Sequence, residues 1–370
     1  MRRVIVSVTN DLVTDQRVDR ICTTLSKLNY EIILIGRLLP NSKSIFRKYK
    51  TYRFKLLFHN GFLFYAEYNI RLFFKLLFTK STILLANDLD TLPANFLVSK
   101  LLKRTLVYDS HELFTEVPEL INRPFVQNFW LKIEAFILPK LKNCYTVNTI
   151  IASIYTSKYN VPFSVIRNIA PKYNKQHLDC DFLKKIKRNQ KMLILQGTGI
   201  NIDRGAEEAV EMMQYLENTL LYIIGSGDVF KTLKLKIASL NLKNKVILLD
   251  KMPYNELMKF TQIADIGLSL DKNTNLNYEL SLPNKIFDYI QAGTPLLVSN
   301  RRIISKFVAK NNIGKVTHTH NPKELATIVS NIFKNKQQYN TWSENLLKTA
   351  EIYTWENESK NLKKIYSNLK

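Results

Sequence analysis

YELSLPNKIFDYIQAGTPLLVSN, residues 278–300, carries more structural information than any other stretch of this chain. Pro283 suits the first turn of a helix, where its missing N–H would find no partner anyway. Ile286, Phe287 and Ile290 then fall on one face of that helix. Gly293 stops it, and the apolar run at 294–300 reads as a buried strand. After a strand's carboxyl end, the N-terminus of such a helix offers free backbone N–H groups and the positive end of the helix dipole, which together bind anions. Lys285 adds a formal charge in the first turn. Asp288 follows one turn later and offers acceptors for ligand hydroxyls. The plainer reading is a capped helix with a solvated Lys and Asp.

Outward from this segment the same alternation of strand and helix repeats. KMLILQG (191–197), TLLYIIGSG (219–227), KVILLD (245–250) and DIGLSL (265–270) are short apolar runs, and 204–217 between the first two has helical spacing. The first half follows the same pattern. VIVSV (4–8), EIILIG (31–36), TILLAND (82–88), TLVYDSHE (105–112), NCYTVN (143–148) and FSVIRN (163–168) read as strands. Residues 15–29 and 91–103 read as helices, the first with Val18, Ile21, Cys22, Leu25 and Leu28 spaced by three and four. Such alternation predicts α/β architecture, with parallel sheets covered on both faces. The polar, lysine-rich stretch 171–190 interrupts it. At 370 residues the chain exceeds what one core usually supports. We therefore expect two Rossmann-like domains, 1–170 and 191–352, joined by a linker at 171–190. A lone dinucleotide-binding dehydrogenase is disfavoured, because the turn after the first strand, TNDLVTD, contains no glycine.

The three cysteines, Cys22, Cys144 and Cys180, are far apart and show no metal-ligand spacing, which argues for a reducing compartment. The apolar run after the N-terminal arginines is too short for a signal-peptide core, and no stretch has the length of a membrane span. A cytoplasmic protein is expected. The net charge is +23, and three readings of it compete: a general surface trait, attraction to an anionic membrane leaflet, or nucleic-acid binding. Residues 1–170 carry 24 basic and 12 acidic side chains, the remainder 30 and 19, so the excess is spread over both halves. One local concentration exists at 42–80, with nine Lys/Arg, one Glu and twelve Phe/Tyr. Its aromatics either form core of a strand and helix, or dock peripherally on the inner membrane face, or, least in keeping with the spread of charge, stack on nucleic acid.

The run DYIQAGTP resembles the signature of the family 4 retaining glycosyltransferases, which have the GT-B fold. Their motif is an acidic pair eight apart, the second acid opening E-A-x-x-x-G-x-P. Asp288 stands where the second acid does, the residue that holds the nucleotide ribose. The first acid's place is Leu280, with Glu279 beside it. NDLVTDQRVDRI (10–21), ANDLDTLPA (86–94), YDSHELFTEVPEL (108–120), LQGTGINIDRG (195–205), IIGSG (223–227) and TWENESKNLKKIY (354–366) resemble further family blocks in order, so the likeness covers nearly the whole chain. It implies two Rossmann-like parallel-sheet domains facing across a cleft, with a final helix at 353–370 crossing back to the first.

The resemblance also implies the chemistry: transfer of a hexose from a nucleoside-diphosphate sugar (UDP or GDP) to an acceptor hydroxyl with retention, in surface polysaccharide or glycolipid synthesis. The acceptor would be a carbohydrate or be lipid-linked. Gly197, Thr198, Gly199 and Gly225 would approach the nucleotide, with Arg204 and Lys285 sharing the diphosphate and Glu279, Asn284 and Asp288 completing the donor site. His111, with Asp109 and Glu112, sits past a strand's carboxyl end near the transferred sugar, and a pKa near neutrality would permit proton handling. Asp88 or Asp90 could orient His111 or bind acceptor hydroxyls. Asp15 and Arg17 face the same edge, or form a local ion pair. Asp88-Leu89-Asp90 has the spelling of a metal motif, but enzymes of this fold generally need no divalent ion, so neither metal nor cofactor is expected. A nucleotide-sugar epimerase using the same cleft, and a non-catalytic binder, are the other classes left open.

Overall fold

A computed structural model describes residues 2–13, 15–175 and 180–369, and within the helix Cys180–Lys187 the side chains of residues 180, 181, 183 and 184 fall outside that description. Residues 176–179 of the expected linker and the Cys180 thiol are therefore outside the described residues. The chain forms two compact units, Met1–Asn168 with Asn357–Lys370, and Ile169–Glu356.

The first unit is built on seven parallel strands: β1 (Arg3–Asp11), β2 (Glu31–Leu38), β3 (Lys50–Lys55), β4 (Ile83–Asn87), β5 (Thr105–Ser110), β6 (Asn143–Thr146) and β7 (Phe163–Val165). Their order across the sheet is β3-β2-β1-β4-β5-β6-β7. Val4, Ile5 and Val6 of β1 are fully buried, as a strand covered on both faces requires. The helix Gln16–Lys27 buries Val18, Ile21, Cys22 and Leu25, and Asp15 caps it by accepting from the Val18 N–H at 3.1 Å. The edge strand β3 was not resolved by the apolar runs, because KTYRFK alternates cations with aromatics instead of running apolar. In residues 42–80 the aromatics divide. Phe54, Phe64 and Tyr68 are core, whereas Phe46, Phe62, Phe74 and Phe78 are exposed.

The second unit has six parallel strands, β8 (Lys191–Gly197), β9 (Thr219–Gly225), β10 (Val246–Asp250), β11 (Ile266–Ser269), β12 (Leu296–Ser299) and β13 (Gly314–Thr317), in the order β10-β9-β8-β11-β12-β13. The segment 278–300 divides between two helices and β12. Tyr278–Leu280 end the short helix Leu276–Leu280, and Pro283 stands at the N-cap of Asn284–Ala292 instead of inside its first turn. Ile286, Phe287 and Ile290 are buried, and Gly293 takes the left-handed conformation (φ 76°) that closes the helix.

In each sheet the first strand sits between the second and one that returns on its other side: β1 between β2 and β4, β8 between β9 and β11. The crevice where strand order reverses, at the carboxyl edge, is where open parallel sheets bind ligands. The last helix, Trp355–Ser367, joins the first unit over most of its length. Leu362 and Tyr366 are fully buried there, and Glu358 accepts from the Arg167 backbone N–H at 2.8 Å and from its guanidinium at 3.1 Å.

Candidate active site

In the second unit, residues that follow the carboxyl ends of β8 and β11 meet the start of the helix Asn284–Ala292. Arg204 lies in the turn after β8 and donates through Nη1 to Asp271, two residues past β11, at 3.0 Å. Its guanidinium carbon stands 4.0 Å from the centre of the Tyr278 ring. Lys285 falls within electrostatic reach of both charges. Burial opposes the Asp271 charge, but Lys285 and Arg204 outweigh it and hold the carboxyl below its usual range. Burial and Arg204 push the Lys285 ammonium down, against the pull of Asp271. Two cations thus share one carboxylate, leaving an excess of positive charge at a helix N-terminus. The Arg204 Nε–H is buried and has no hydrogen-bond partner among the described residues, which leaves a directional donor for an anionic oxygen.

Asp288 accepts from Gln196 Nε2 and from the Tyr254 hydroxyl, each at 3.0 Å, and Gln196 is itself held by the Thr261 hydroxyl at 2.7 Å. The carboxylate is oriented by these partners. Asn284, Thr198 and Gly199 are exposed, with Gly197 half-buried. A Cβ at Gly199 would meet only the far end of Asn201, so the loop after β8 leaves open space. At Gly225 a Cβ would fall inside the Gly197 carbonyl oxygen, and only glycine allows that approach of the β8 and β9 ends. Glu279 has arginine partners of its own. It accepts from Arg301 at 3.2 Å and from the Arg302 backbone N–H at 3.0 Å, while Leu280 is core.

In the first unit the corresponding edge carries a chain of charges. Arg17 is buried. It grips Asp109 through Nε (3.1 Å) and Nη2 (2.6 Å), and its Nη1 donates to the Ile166 carbonyl. Asp109 in turn faces His111 Nε2 at 3.2 Å, and Asp88 faces His111 Nδ1 at 3.0 Å while also accepting from the His111 backbone N–H at 2.8 Å. Burial alone would lower the His111 pKa, but Asp88 and Asp109 outweigh it and raise it well above 6.5. Each ring nitrogen faces a carboxylate, an arrangement that favours the imidazolium over the neutral ring.

Other readings change as well. Asp15 and Arg17 do not pair with each other, since Asp15 caps its helix and Arg17 reaches Asp109 across the sheet. Asp109 is fully buried between Arg17 and His111. Glu112 is half-buried beside His111. Asp90 accepts from the Thr9 hydroxyl at 2.5 Å, its second oxygen lacks a partner, and burial with the nearby Asp88 charge pushes its pKa up to about 7. Asp271, Tyr278, Gln196 and Tyr254 were not singled out by the sequence. Asp271 was within reach of the same strand-end reasoning that found Asp109.

Residues 181–349, within the second unit, match the family model described as Glycosyl transferases group 1. No curated protein sequence matches the chain. Among solved structures, the Anabaena protein HepE, solved with UDP and glucose, is similar at 13% identity and TM-score 0.80 over 100% of both chains. Sucrose-phosphate synthase from Thermosynechococcus elongatus follows at 14% identity and TM-score 0.79, over 99% of this chain and 98% of its own. A glycosyltransferase from Rickettsia africae is similar at 15% identity and TM-score 0.75, over 100% of this chain and 99% of its own. These likenesses establish a GT-B fold of two Rossmann-like units.

Proposed function

We propose that this chain transfers a hexosyl group from a nucleoside-diphosphate sugar, UDP- or GDP-linked, to an acceptor hydroxyl with retention at the anomeric carbon. The observation that carries the reading is the Arg204–Asp271–Lys285 cluster at the N-terminus of Asn284–Ala292, with the oriented Asp288 one turn on. Arg204, Lys285 and the helix N-terminus would hold the diphosphate, and Asp288 the ribose. The bond from the sugar's anomeric carbon to the diphosphate breaks, a bond to the acceptor oxygen forms, and the acceptor hydroxyl's proton passes to the departing diphosphate. Negative charge then grows on the departing diphosphate, where fixed cations lower the barrier most. Likeness to a UDP-bound protein supports a nucleotide-sugar donor. Retention rests on the resemblance of DYIQAGTP to the family 4 signature.

In the first unit His111 would act as a fixed positive charge and hydrogen-bonding frame, since an imidazolium has no lone pair with which to accept a proton. Asp88, Asp90 and Glu112 are the acceptor-side candidates. The basic, aromatic segment 42–80 suits attachment to an anionic membrane face, where a lipid-linked acceptor would be presented; a soluble carbohydrate is the other source of the same hydroxyl. Thermal shift against UDP, GDP and their sugars, followed by product analysis with labelled donor, tests the proposal. It requires that a nucleoside diphosphate raise the melting temperature and that label reach an acceptor. Label recovered only as an isomerised donor would make the chain an epimerase, and binding without turnover a carrier.

A further inference from the structure

The helix Gly61–Leu77 is apolar on both faces. Phe64, Tyr68, Leu72 and Leu76, four apart, are its buried side. On the opposite side Ile70 and Phe74 are 59% and 52% exposed, and Phe78, just past the last turn, is 81% exposed. Large apolar side chains on the outer face of a surface helix are normally covered, and these are not. A second helix, Pro124–Ile137, repeats the feature. It buries Trp130 and Ile137 and leaves Phe125 91% and Phe136 62% exposed. The Phe62 and Phe129 rings meet edge to face at 6.0 Å and join the two helices into one surface. Patches of this kind mark a surface that receives a partner.

Charge identifies the partner. Around the second helix Arg123, Lys132 and Lys140 are exposed, Lys140 lying over the Phe136 ring. Its one acid, Glu134, is buried and paired with Lys158. The first helix adds Lys75, which lies over the Tyr52 ring, and Lys80 follows it, whereas Arg71 already pairs with Glu67, which also accepts from two backbone N–H groups. By contrast, several cations of residues 43–55 already face acids: Arg47 meets Asp19, Lys50 meets Glu31 and Arg53 lies near Asp11. The surface that combines rings with available positive charge is thus the helix pair, more than the strand β3.

We propose that Gly61–Leu77 and Pro124–Ile137 together dock on an anionic lipid surface, with Phe78, Phe125 and Phe136 entering the headgroup layer and the cations meeting lipid phosphates. This rests on the membrane reading of residues 42–80 and extends it to a helix outside them. The test is co-sedimentation of the full chain with vesicles of phosphatidylglycerol and phosphatidylcholine in equal parts, and with phosphatidylcholine alone. The wild type binds the anionic vesicles, and added salt weakens binding without abolishing it, because inserted rings are not screened. Phe125→Ser with Phe136→Ser reduces binding at least about tenfold at an unchanged melting temperature, each ring being exposed before docking. In Phe125→Trp the indole emission shifts to the blue on the anionic vesicles only. Wild-type binding that the double Ser variant leaves intact would keep attachment through 42–80 and overturn the part given to the second helix. Absence of binding at low salt would remove both. A dimer that the Ser variant dissociates, without vesicle binding, would assign the surface to a second copy of the chain. None of these readouts involves donor turnover, so failure here is separable from failure of the transfer reaction.

Discussion

Lys285 and His111 illustrate opposite uses of a half-buried cation. Lys285 is pushed toward its neutral form by burial and by Arg204, so a diphosphate arriving beside it gains a charge that the free protein holds at a cost. Lys285→Ala should weaken UDP or GDP binding by ~1.5–3 kcal/mol, the range for a charge-assisted hydrogen bond. Asp288→Asn should weaken nucleoside as well as nucleotide. Calorimetric titration of both variants checks this, and unchanged affinity in the pair would remove the donor site. His111 is held charged by Asp88 and Asp109. Its folded pKa lies above the unfolded value of about 6.5, so its contribution to stability is complete below that value and is lost as pH rises through the raised one. The melting temperature of wild type relative to His111→Gln should therefore fall from about pH 6 into the alkaline range. A constant difference would mean that the two carboxylates do not hold the proton. The same variant should lower transfer by roughly 10²-fold while sparing nucleotide affinity.

At the scale of elements, two glycines do different work. Gly293 ends Asn284–Ala292 in a left-handed turn, where a Cβ meets only the flexible tip of Lys175. Gly293→Ala should cost about 1–2 kcal/mol, the left-handed penalty for an L-residue. Gly225 combines φ +146° with backbone contact to Gly197, and nothing there can yield without parting β8 from β9. Gly225→Ala should lower the melting temperature more than Gly293→Ala and also weaken nucleotide binding, because it moves the loop after β8. Comparable losses in the two variants would contradict this. Most strands were visible in advance because a strand buried on both faces is a continuous apolar run, as in TLLYIIG and ILLAN. β3 and the four-residue β13, GKVT, escaped because an edge strand and a very short one carry no such run.

Across the whole molecule, the chain's ends are fastened to one unit. The last helix inserts Leu362 and Tyr366 into the first unit, and the Arg2 guanidinium donates to the Leu369 carbonyl at 2.7 Å. Truncation after Glu356 should destabilise the first unit selectively. Hydrogen exchange would accelerate in β1 and β6 while β8 and β9 keep their protection; uniform loss across both sheets would show that the units unfold together. No helix among the described residues is long and apolar enough to cross a membrane.

Two parallel-sheet units, the alternation within each and the segment at 278–300 were determined by the sequence alone, because periodic burial and punctuation by Pro and Gly are local properties. That Arg204 follows a strand and that Lys285 opens a helix was also readable, because both positions are set by local pattern. The charge partners were decided only by the tertiary structure. Arg17 meets Asp109 ninety-two residues away, Asp271 joins Arg204 across sixty-seven, and Glu279 turns to Arg301. A carboxylate's partner depends on which strand ends the sheet order sets side by side, and that order, β1 beside β4 and β8 beside β11, is set by packing of the whole unit and not by any one stretch of chain.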